Sequence, residues 1–490
     1  MSDEASKSLL KFFDDNECWI HPEVEIRTSK LGGTGVFAKK DLDAGDIVLK
    51  VPKSACLSPR TCGIANLLDE HDLDNIAGLL VAFLYERSLG DQSPWHEFFE
   101  SLKPVIADVP EIPKFWTNDE DRALLSGTEV EEIGGLETGE DEEVYQELIV
   151  PFFEDNGKLI NLECPSFDEF KKLVVVIASR AFEVDQFREL CLVPGACLFN
   201  HSDDPDLHFQ TDFGVCPVCG DVYCDHDVEE QEHEHSGSCC SGGDHHHAHD
   251  DEEDDWSDES VDGDDDEERE EEMEEVESGD EDEEMEDGET EEDEEEGDEH
   301  DEDEEEEDSE ICDMQLQNDI KAGKEIFNTY GDLPNSMLLA RYGFAIWNNS
   351  QEVISLWKEA MAYAKKAGRM DRLKMLRKRD PELSEKVFVA YSDGDVNKIE
   401  WGPCVNAMLT LLLMTDQEYK KKVCSRRLDK EINKAKKLLL NARLKRYEDG
   451  GMTSEEYKKV LPKVEGTKKA AIVIRGTEKK VIETALKTLK

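Results

Sequence analysis

The sequence predicts an α+β protein in which a β-rich domain with a helical insert is followed by an all-α C-terminal domain. Three observations lead to this prediction: short β-forming runs around glycine turns in residues 22–60, helical periodicity in the stretch that follows, and basic, helix-forming sequence after residue 347. At 490 residues, the chain is long enough for two to four domains, each with its own apolar core.

The β-rich part is interrupted by a helical stretch. From Asp74, a candidate N-cap, apolar residues recur at helical spacing until Gly90 ends the run. Two more segments, around 141–155 and 167–182, have the same character. Strand-like sequence then returns near 191–213 and again at "KEIFNTYGDL", which predicts that the strands before and after the interruptions belong to one domain.

The C-terminal part carries amphipathic helices. The segment "TSEEYKKVL" begins with Thr453 and has Glu456 three residues later, which predicts a capping box. In the preceding segment, "EINKAKKLLLNARLKRY", the residues predicted on one apolar face are Ile432, Ala435, Leu439, Ala442 and Leu444.

The formal net charge of -66 is concentrated in one segment. Acidic residues fill most of positions 251–310, where Arg269 is the only lysine or arginine. Such a segment cannot bury enough apolar surface to offset chain entropy, so we expect residues 228–310 to be disordered. The segment is either a solvated linker or an electrostatic attractant for a basic partner, a ribosomal protein or a histone tail. Its sign disfavours direct binding of nucleic acid.

The 14 cysteines have no evenly spaced framework, and the N-terminal "MSDEASKSLLKFF" lacks the apolar core of a signal peptide. No apolar run approaches membrane-spanning length. We therefore expect an intracellular protein, cytoplasmic or nuclear, with no membrane partner and with thiols that are reduced or bound to metal.

Three separated clusters contain residues that suit chemistry. The first is the glycine-rich "GGTGVF" at 32–37, the second is Asn200-His201 inside an apolar run, and the third is "FNTYGDLPNSMLLARYGF" at 327–344. Each also has a plain structural explanation, namely a tight hairpin, a capped turn and a strand end. The glycine cluster lacks the following helix and the Lys-Ser/Thr pair that nucleotide-binding loops require.

Taken in order, these pieces resemble the SET-domain protein lysine methyltransferases, in the branch of the Rubisco large-subunit methyltransferase and the fungal ribosomal-protein methyltransferases. The matching stretches are "GGTGVFAKKDLDAGDIVLKVP", "LLVAFLYERSLGDQSPWHEFFESLKP", "VVVIASRAF", "LVPGACLFNHSDDPDLHF" and "GKEIFNTYGDLPNSMLLARYGF". The predicted divisions are an N-terminal extension (1–21), a first β part (22–60), a helical insert (61–183), a core part with a cysteine cluster (184–227), the acidic segment (228–310), the last SET part (311–347) and a helical substrate-binding domain (348–490).

The resemblance implies an S-adenosylmethionine site and a role for each motif residue. Tyr330 is the implied catalytic residue, which orients the target amine. The implied cofactor-binding residues are Gly33, Gly35, Phe37, Arg180, Asn200, His201 and Tyr342, with Arg180 meeting the cofactor carboxylate through its bidentate fork.

One position departs from the family pattern. The family commonly has an acidic residue three positions before the Asn of Asn-His, where this chain has Cys197. If that carboxylate helps to hold the substrate, the target or its binding differs in this chain. Separately, the family includes enzymes that modify histidine instead of lysine, so the resemblance leaves the acceptor residue open.

A cysteine cluster follows the Asn-His motif. Cys216, Cys219, Cys224 and His226 lie within eleven residues, with Gly220 able to form a knuckle turn. The pattern predicts either a structural zinc site, a hairpin with free thiols or a redox pair. The later "HEHSGSCCSGGDHHHAH" is typical of loose, composition-driven metal binding.

The leading hypothesis is an S-adenosylmethionine-dependent protein-lysine N-methyltransferase, acting as a monomer on a basic protein, with a ribosomal protein favoured and a histone as the alternative. A second hypothesis is a catalytically weak SET scaffold that acts as an acidic, chaperone-like binder of basic proteins. A third, resting on the cysteine cluster alone, is a zinc-dependent interaction module.

Overall fold

The computed structural model describes residues 3–222, 224, 226, 310–424 and 427–489. Its strands are β1 Trp19–Ile20, β2 Val24–Thr28, β3 Thr34–Ala38, β4 Ile47–Pro52, β5 Ala181–Glu183, β6 Leu190–Leu192, β7 Leu207–Thr211, β8 Ile311–Leu316, β9 Glu325–Ile326, β10 Val353–Ser355, β11 Phe388–Ser392 and β12 Asp395–Trp401.

The helices before the acidic segment are α1 Asp3–Asp15, α2 Ala65–Asp69, α3 Asn75–Ser88, α4 His96–Ala107, α5 Asp119–Ala123, α6 Glu129–Glu132, α7 Gly139–Val144, α8 Val150–Ile160 and α9 Phe167–Ala178. Those after it are α10 Asn335–Tyr342, α11 Trp357–Ala367, α12 Met370–Arg379, α13 Val405–Leu413, α14 Asp416–Lys420, α15 Asp429–Lys445, α16 Ser454–Val460 and α17 Gly466–Thr488. None of the helices in the described ranges is both long and apolar enough to cross a bilayer.

Three small antiparallel sheets form the β-rich part. The strand orders are β1-β4-β8-β7, β2-β3-β9 and β5-β6. Strands from both sides of the helical insert and of the acidic segment therefore share sheets, as the sequence predicts. A continuous apolar core lies between these sheets and helices α1, α3, α4, α8 and α9.

The connection that contains the acidic segment joins two neighbouring strands of one hairpin. β7 and β8 pair antiparallel, with Leu207 opposite Leu316 and Thr211 opposite Cys312. Because both ends of the connection emerge at one place, its length does not disturb the sheet. The disorder predicted for 228–310 falls on residues outside the described ones, apart from Glu310.

One buried lysine holds the two ends of this connection together. The Lys53 amide donates to the Glu310 carbonyl at 2.8 Å, and the Lys53 ammonium donates to the Asp212 carbonyl at 2.6 Å. The same ammonium lies 3.2 Å from the Asp185 carboxylate, and neither side chain has any exposed surface. A buried charge is tolerated only when it is paired and hydrogen-bonded, as Lys53 is here.

The N-terminal extension contains a helix that the sequence analysis did not assign. In α1, Leu9, Phe12 and Phe13 are buried, and the Phe12 ring lies 5.8 Å from the Phe98 ring of α4. The start of α3 follows the prediction, since Asp74 precedes its first residue. The Asp74 side chain, however, makes no capping hydrogen bond.

The α+β class is confirmed, but the segment after residue 347 is not all-α. It contains a sheet with the order β10-β11-β12 in addition to helices α11 to α17. Val389, Tyr391 and Val405 are buried in its core. The β-branched and aromatic residues of 388–401 favour strands. The sequence analysis nevertheless predicts an all-α segment, because the helical runs on either side of these residues are longer.

The predicted capping box at the start of α16 is present. The Thr453 side chain accepts from the Glu456 amide, and the Glu456 carboxylate accepts from the Thr453 amide at 2.8 Å. In α15, by contrast, the predicted Ala442 is exposed and its neighbour Arg443 is buried.

Arg443 is buried because it is paired with carboxylates from two other helices. Its guanidinium lies 2.8 Å from Glu129 of α6 and 3.4 Å from Glu478 of α17. Tyr447 donates to the same Glu478 carboxylate at 2.6 Å. Burial raises the pKa of Glu478 to about 7, and attraction to Arg443 opposes that rise. This network joins the helical insert to the C-terminal part.

Replacing Arg443 should destabilise the protein, because it leaves two carboxylates buried without a positive partner. We expect Arg443→Met to lower the free energy of unfolding by about 3–5 kcal/mol in urea denaturation. The matched control is Arg379→Met, which removes an exposed arginine at the end of α12 and should change stability little. Equal losses in the two variants would contradict a structural role for the network.

Candidate active site

The Asn-His motif and the segment before Tyr330 are held together by backbone pairing. The Asn328 amide donates to the Asn200 carbonyl, and the Ser202 amide donates to the Asn328 carbonyl, both at 2.9 Å. His201 and Asn328 thereby form a parallel bridge. Two segments that are more than 120 residues apart in sequence meet at this point.

His201 is a neutral acceptor in this site. Its Nδ1 accepts a hydrogen bond from the Tyr330 amide at 2.9 Å, and the side chain is buried. Burial lowers the pKa of His201 to about 4, while the carboxylates of Asp203 and Asp332 oppose that shift. The ring therefore keeps a lone pair on Nδ1 near neutral pH.

Aromatic rings cluster around Tyr330. Its ring lies 5.1 Å from that of His201, 4.7 Å from that of Tyr342 and 6.3 Å from that of Phe344. The Tyr330 hydroxyl donates to the Phe199 carbonyl at 3.3 Å. Burial raises the pKa of this phenol, and the positive charge of Arg180 opposes the rise. Tyr330 is therefore protonated, with its oxygen lone pairs available to a partner.

Arg180 and Cys197 lie beside this cluster. The Arg180 guanidinium donates to the Ser179 hydroxyl at 2.6 Å. Burial raises the pKa of Cys197, again with Arg180 opposing. The thiol is consequently neutral and supplies no negative charge at the position where the family commonly has a carboxylate.

The glycine-rich turn leads into β3 beside Asn200. Gly33 has a φ of +66°, a backbone conformation that favours glycine, and open space lies where its side chain would be. At Gly35, an added Cβ would lie 2.2 Å from the Glu325 carboxylate and 3.1 Å from the Asn200 amide nitrogen. Phe37, farther along the strand, pairs with Glu325, and its ring lies under the Arg27 guanidinium.

Two named lysine methyltransferases are similar to this chain in sequence. Ribosomal lysine N-methyltransferase 3 of Saccharomyces cerevisiae is 30% identical over 390 residues, which cover 73% of this chain and 65% of the yeast protein. N-lysine methyltransferase SETD6 of Mus musculus is 30% identical over 210 residues, covering 40% of this chain and 44% of the mouse protein. The chain thus spans less than two thirds of the length of either relative. No protein-family model matches the chain.

Solved structures share the fold. The crystal structure of the SET domain of LSMT bound to lysine and AdoHcy matches with a TM-score of 0.57 at 16% identity, covering 100% of this chain and 91% of that one. The structure of Rubisco LSMT bound to AdoMet matches with a TM-score of 0.55. The chain has the SET-domain fold, and its sequence is similar to those of named lysine N-methyltransferases. The resemblance drawn from the motifs is confirmed for family and fold.

The structure places three further residues next to the predicted site residues, and the sequence analysis did not assign them a role. Glu325 accepts from the Asn200 amide at 2.7 Å and from the Ser29 hydroxyl at 2.9 Å. Asn328 is fully buried, and neither its amide oxygen nor its amide nitrogen has a hydrogen-bond partner among the described residues. Phe344 adds its ring to the aromatic cluster. All three lie inside the matching stretch "GKEIFNTYGDLPNSMLLARYGF", but nothing in its local spacing distinguishes them from their neighbours.

Asn335, which the motif brackets between the two Tyr-Gly pairs, is a structural residue. It is fully buried, and its side chain exchanges hydrogen bonds with the backbone of Ile346 and donates to Glu352 at 2.7 Å. These bonds fix the start of α10, which carries Tyr342 at its end.

The four predicted metal ligands also lie together. One ligand atom from each of Cys216, Cys219, Cys224 and His226 can be chosen so that all four lie within 4.8 Å of one another. They follow β7, in the connection that leads to the acidic segment.

Because His201 must be neutral to accept from the Tyr330 amide, its contribution to stability depends on pH. The folded pKa of about 4 lies below the ordinary 6.5, so this contribution is complete above pH 6.5 and is lost as the pH falls towards 4. The loss amounts to at most about 3 kcal/mol. In urea denaturation, the advantage of the wild type over His201→Gln should shrink between pH 7.5 and pH 4.5. A difference independent of pH would contradict the assignment.

Proposed function

We propose that the chain is an S-adenosylmethionine-dependent protein-lysine N-methyltransferase. The observation that carries this proposal is the convergence of Asn200, His201, Tyr330 and Tyr342, which come from distant segments, on one partly buried site next to Arg180. The named relatives and the SET fold support the same activity.

The residues present fit the cofactor chemically. The amino-acid end of S-adenosylmethionine carries one ammonium and one carboxylate, and the site offers a carboxylate, Glu325, and a guanidinium, Arg180. Gly35 keeps the space beside Glu325 and Asn200 free of a side chain. The rings of His201 and Phe344 provide a surface for adenine. Gly33 and Phe37 are assigned to the same pocket on the family resemblance.

When bound, S-adenosylmethionine supplies a methyl group on a cationic sulfur. The methyl group passes in line to a neutral amine, and the sulfur leaves as a neutral thioether. The task of this chain is then to align the amine and to keep it neutral. The Tyr330 hydroxyl proton points to the Phe199 carbonyl, so its oxygen can accept a hydrogen bond from the amine. The amine would lose its proton to water before it attacks, and burial beside the aromatic rings around Tyr330 would lower the amine pKa.

Asn328 is proposed to take part in positioning the acceptor. Its backbone is paired to His201, and it lies two residues before Tyr330, a spacing that places two side chains on the same side of an extended chain. Its amide atoms lack partners among the described residues, and an unsatisfied buried amide is costly. The acceptor amine or an ordered water would satisfy it.

The substrate is proposed to be a lysine of a basic intracellular protein, and a ribosomal protein is favoured by the name of the yeast relative. The segment 251–310 would attract such a partner through its charge. Histones share this chemistry, and cytoplasm and nucleus both contain basic substrates. We propose that the chain acts as a monomer. The hypothesis of a catalytically weak SET scaffold that binds basic proteins like a chaperone has no support among the named relatives.

Tyr330→Phe tests the catalytic assignment. Transfer from labelled S-adenosylmethionine to a salt-washed ribosomal protein fraction should fall by about 100-fold or more, because the variant loses the oxygen that orients the amine. Cofactor affinity, measured by calorimetry, should stay within a few-fold. Tyr363→Phe, which alters a phenol of α11, is the matched control and should keep full activity. A large loss of cofactor affinity in Tyr330→Phe would count against its role.

Removing the acidic charge tests its role in capture. Deletion of residues 251–305 retains Glu310, which is bonded to Lys53. We expect kcat/KM for a basic protein to fall at low salt and the difference to vanish at high salt, because screening shortens the reach of charge. In a control variant, an uncharged glycine-serine segment of equal length replaces residues 251–305. This variant keeps the length of the connection and removes only its charge, so it separates the two effects. If kcat/KM at low salt does not change, the charge has no role in capture and the segment serves only as a spacer.

A further inference from the structure

The connection after β7 contains a cluster that the methyltransferase mechanism does not use. The Cys216 sulfur lies 3.6 Å from the His226 Nδ1, and the four ligand atoms all lie within 4.8 Å of one another. Zinc bonds to thiolate and imidazole of about 2.3 and 2.1 Å in a tetrahedron separate the ligand atoms by about 3.6 Å. The side chains therefore already stand close to the spacing that a tetrahedral metal requires.

The backbone of residues 215–222, which we call the knuckle, has the form of a tight metal-binding turn. The Gly220 amide donates to the Cys216 carbonyl at 2.8 Å, and the Val218 amide donates to the Cys216 sulfur at 3.4 Å. Amide donation to sulfur stabilises the thiolate, which is the form that binds metal. Gly220 has a φ of +82°, and a Cβ there would lie 2.7 Å from the Phe187 ring, so the turn requires glycine.

The knuckle has little apolar core of its own. Among its described residues, the buried hydrophobic side chains are Val215 and Cys216, and Val218 is 61% exposed. A bound metal would cross-link this loop at a place where apolar burial contributes little to its stability. Below the knuckle, Lys53 already ties Asp212 to Glu310.

We propose that Cys216, Cys219, Cys224 and His226 bind one structural zinc ion, which fastens the first turn of the β7–β8 connection onto the SET core beside Phe187. All four ligands come from the protein, so the site is closed and serves structure rather than catalysis. The zinc sets the path on which the chain leaves the core towards the acidic segment. This inference stands independently of the methyltransferase activity.

Metal analysis of the full-length protein tests the proposal. After washing with dilute chelator to remove loosely held ions, mass spectrometry should find about one zinc per chain. The double variant Cys216→Ser/Cys219→Ser should contain almost none. Cys164→Ser, which removes an exposed thiol elsewhere, is the matched control and should retain the zinc. A wild type without zinc, or a double variant that retains it, would overturn the proposal.

Two further variants keep the test decisive. His226→Cys preserves four ligands, so it should retain zinc and, after cobalt substitution, show the absorption of a tetrahedral thiolate site, even if the double variant does not fold. Alanine at His245, His246, His247 and His249 removes the histidine-rich stretch and should leave the zinc in place. Loss of zinc in that histidine variant alone would place the metal there and overturn the proposal.

Discussion

The candidate active site depends on one short pairing, in which Asn328 is hydrogen-bonded through its backbone to Asn200 and Ser202. The Tyr330 amide extends this pairing by donating to the His201 ring. Every group proposed to act on the substrate is positioned relative to these bonds. They join segments on opposite sides of the acidic segment, and the pairing of β7 with β8 brings these two segments close to each other.

That dependence explains how the fold accommodates a long, highly charged connection. The connection lies between two paired strands, and Lys53 bonds to both of its ends. The knuckle at Cys216 lies in the same connection, where a zinc ion would add a second fastening close to the core.

The electrostatics of the site are consistent with the proposed reaction. Burial keeps His201 and Tyr330 neutral by shifting their pKa values in opposite directions, down for the imidazole and up for the phenol. The neutral phenol of Tyr330 can accept a hydrogen bond from an amine without trapping it as an ammonium, whereas the Nδ1 lone pair of His201 already accepts from the Tyr330 amide. Charge is placed at Arg180 and Glu325, where a zwitterionic amino-acid group could be held. The buried Arg443 network joins the insert to the C-terminal part by the same rule of paired charges.

The sequence by itself determined the family, the α+β class and the features that depend on local spacing. The Thr453–Glu456 capping box is one example, and the closely spaced ligands around Cys216 are another. Only the tertiary structure brought Glu325 and Asn328 to the Asn-His motif and buried Arg443 in place of Ala442. The physical reason is that caps and knuckles form between residues a few positions apart. Pairing a buried charge or closing a site, in contrast, requires partners that are distant in sequence, and no local pattern specifies them.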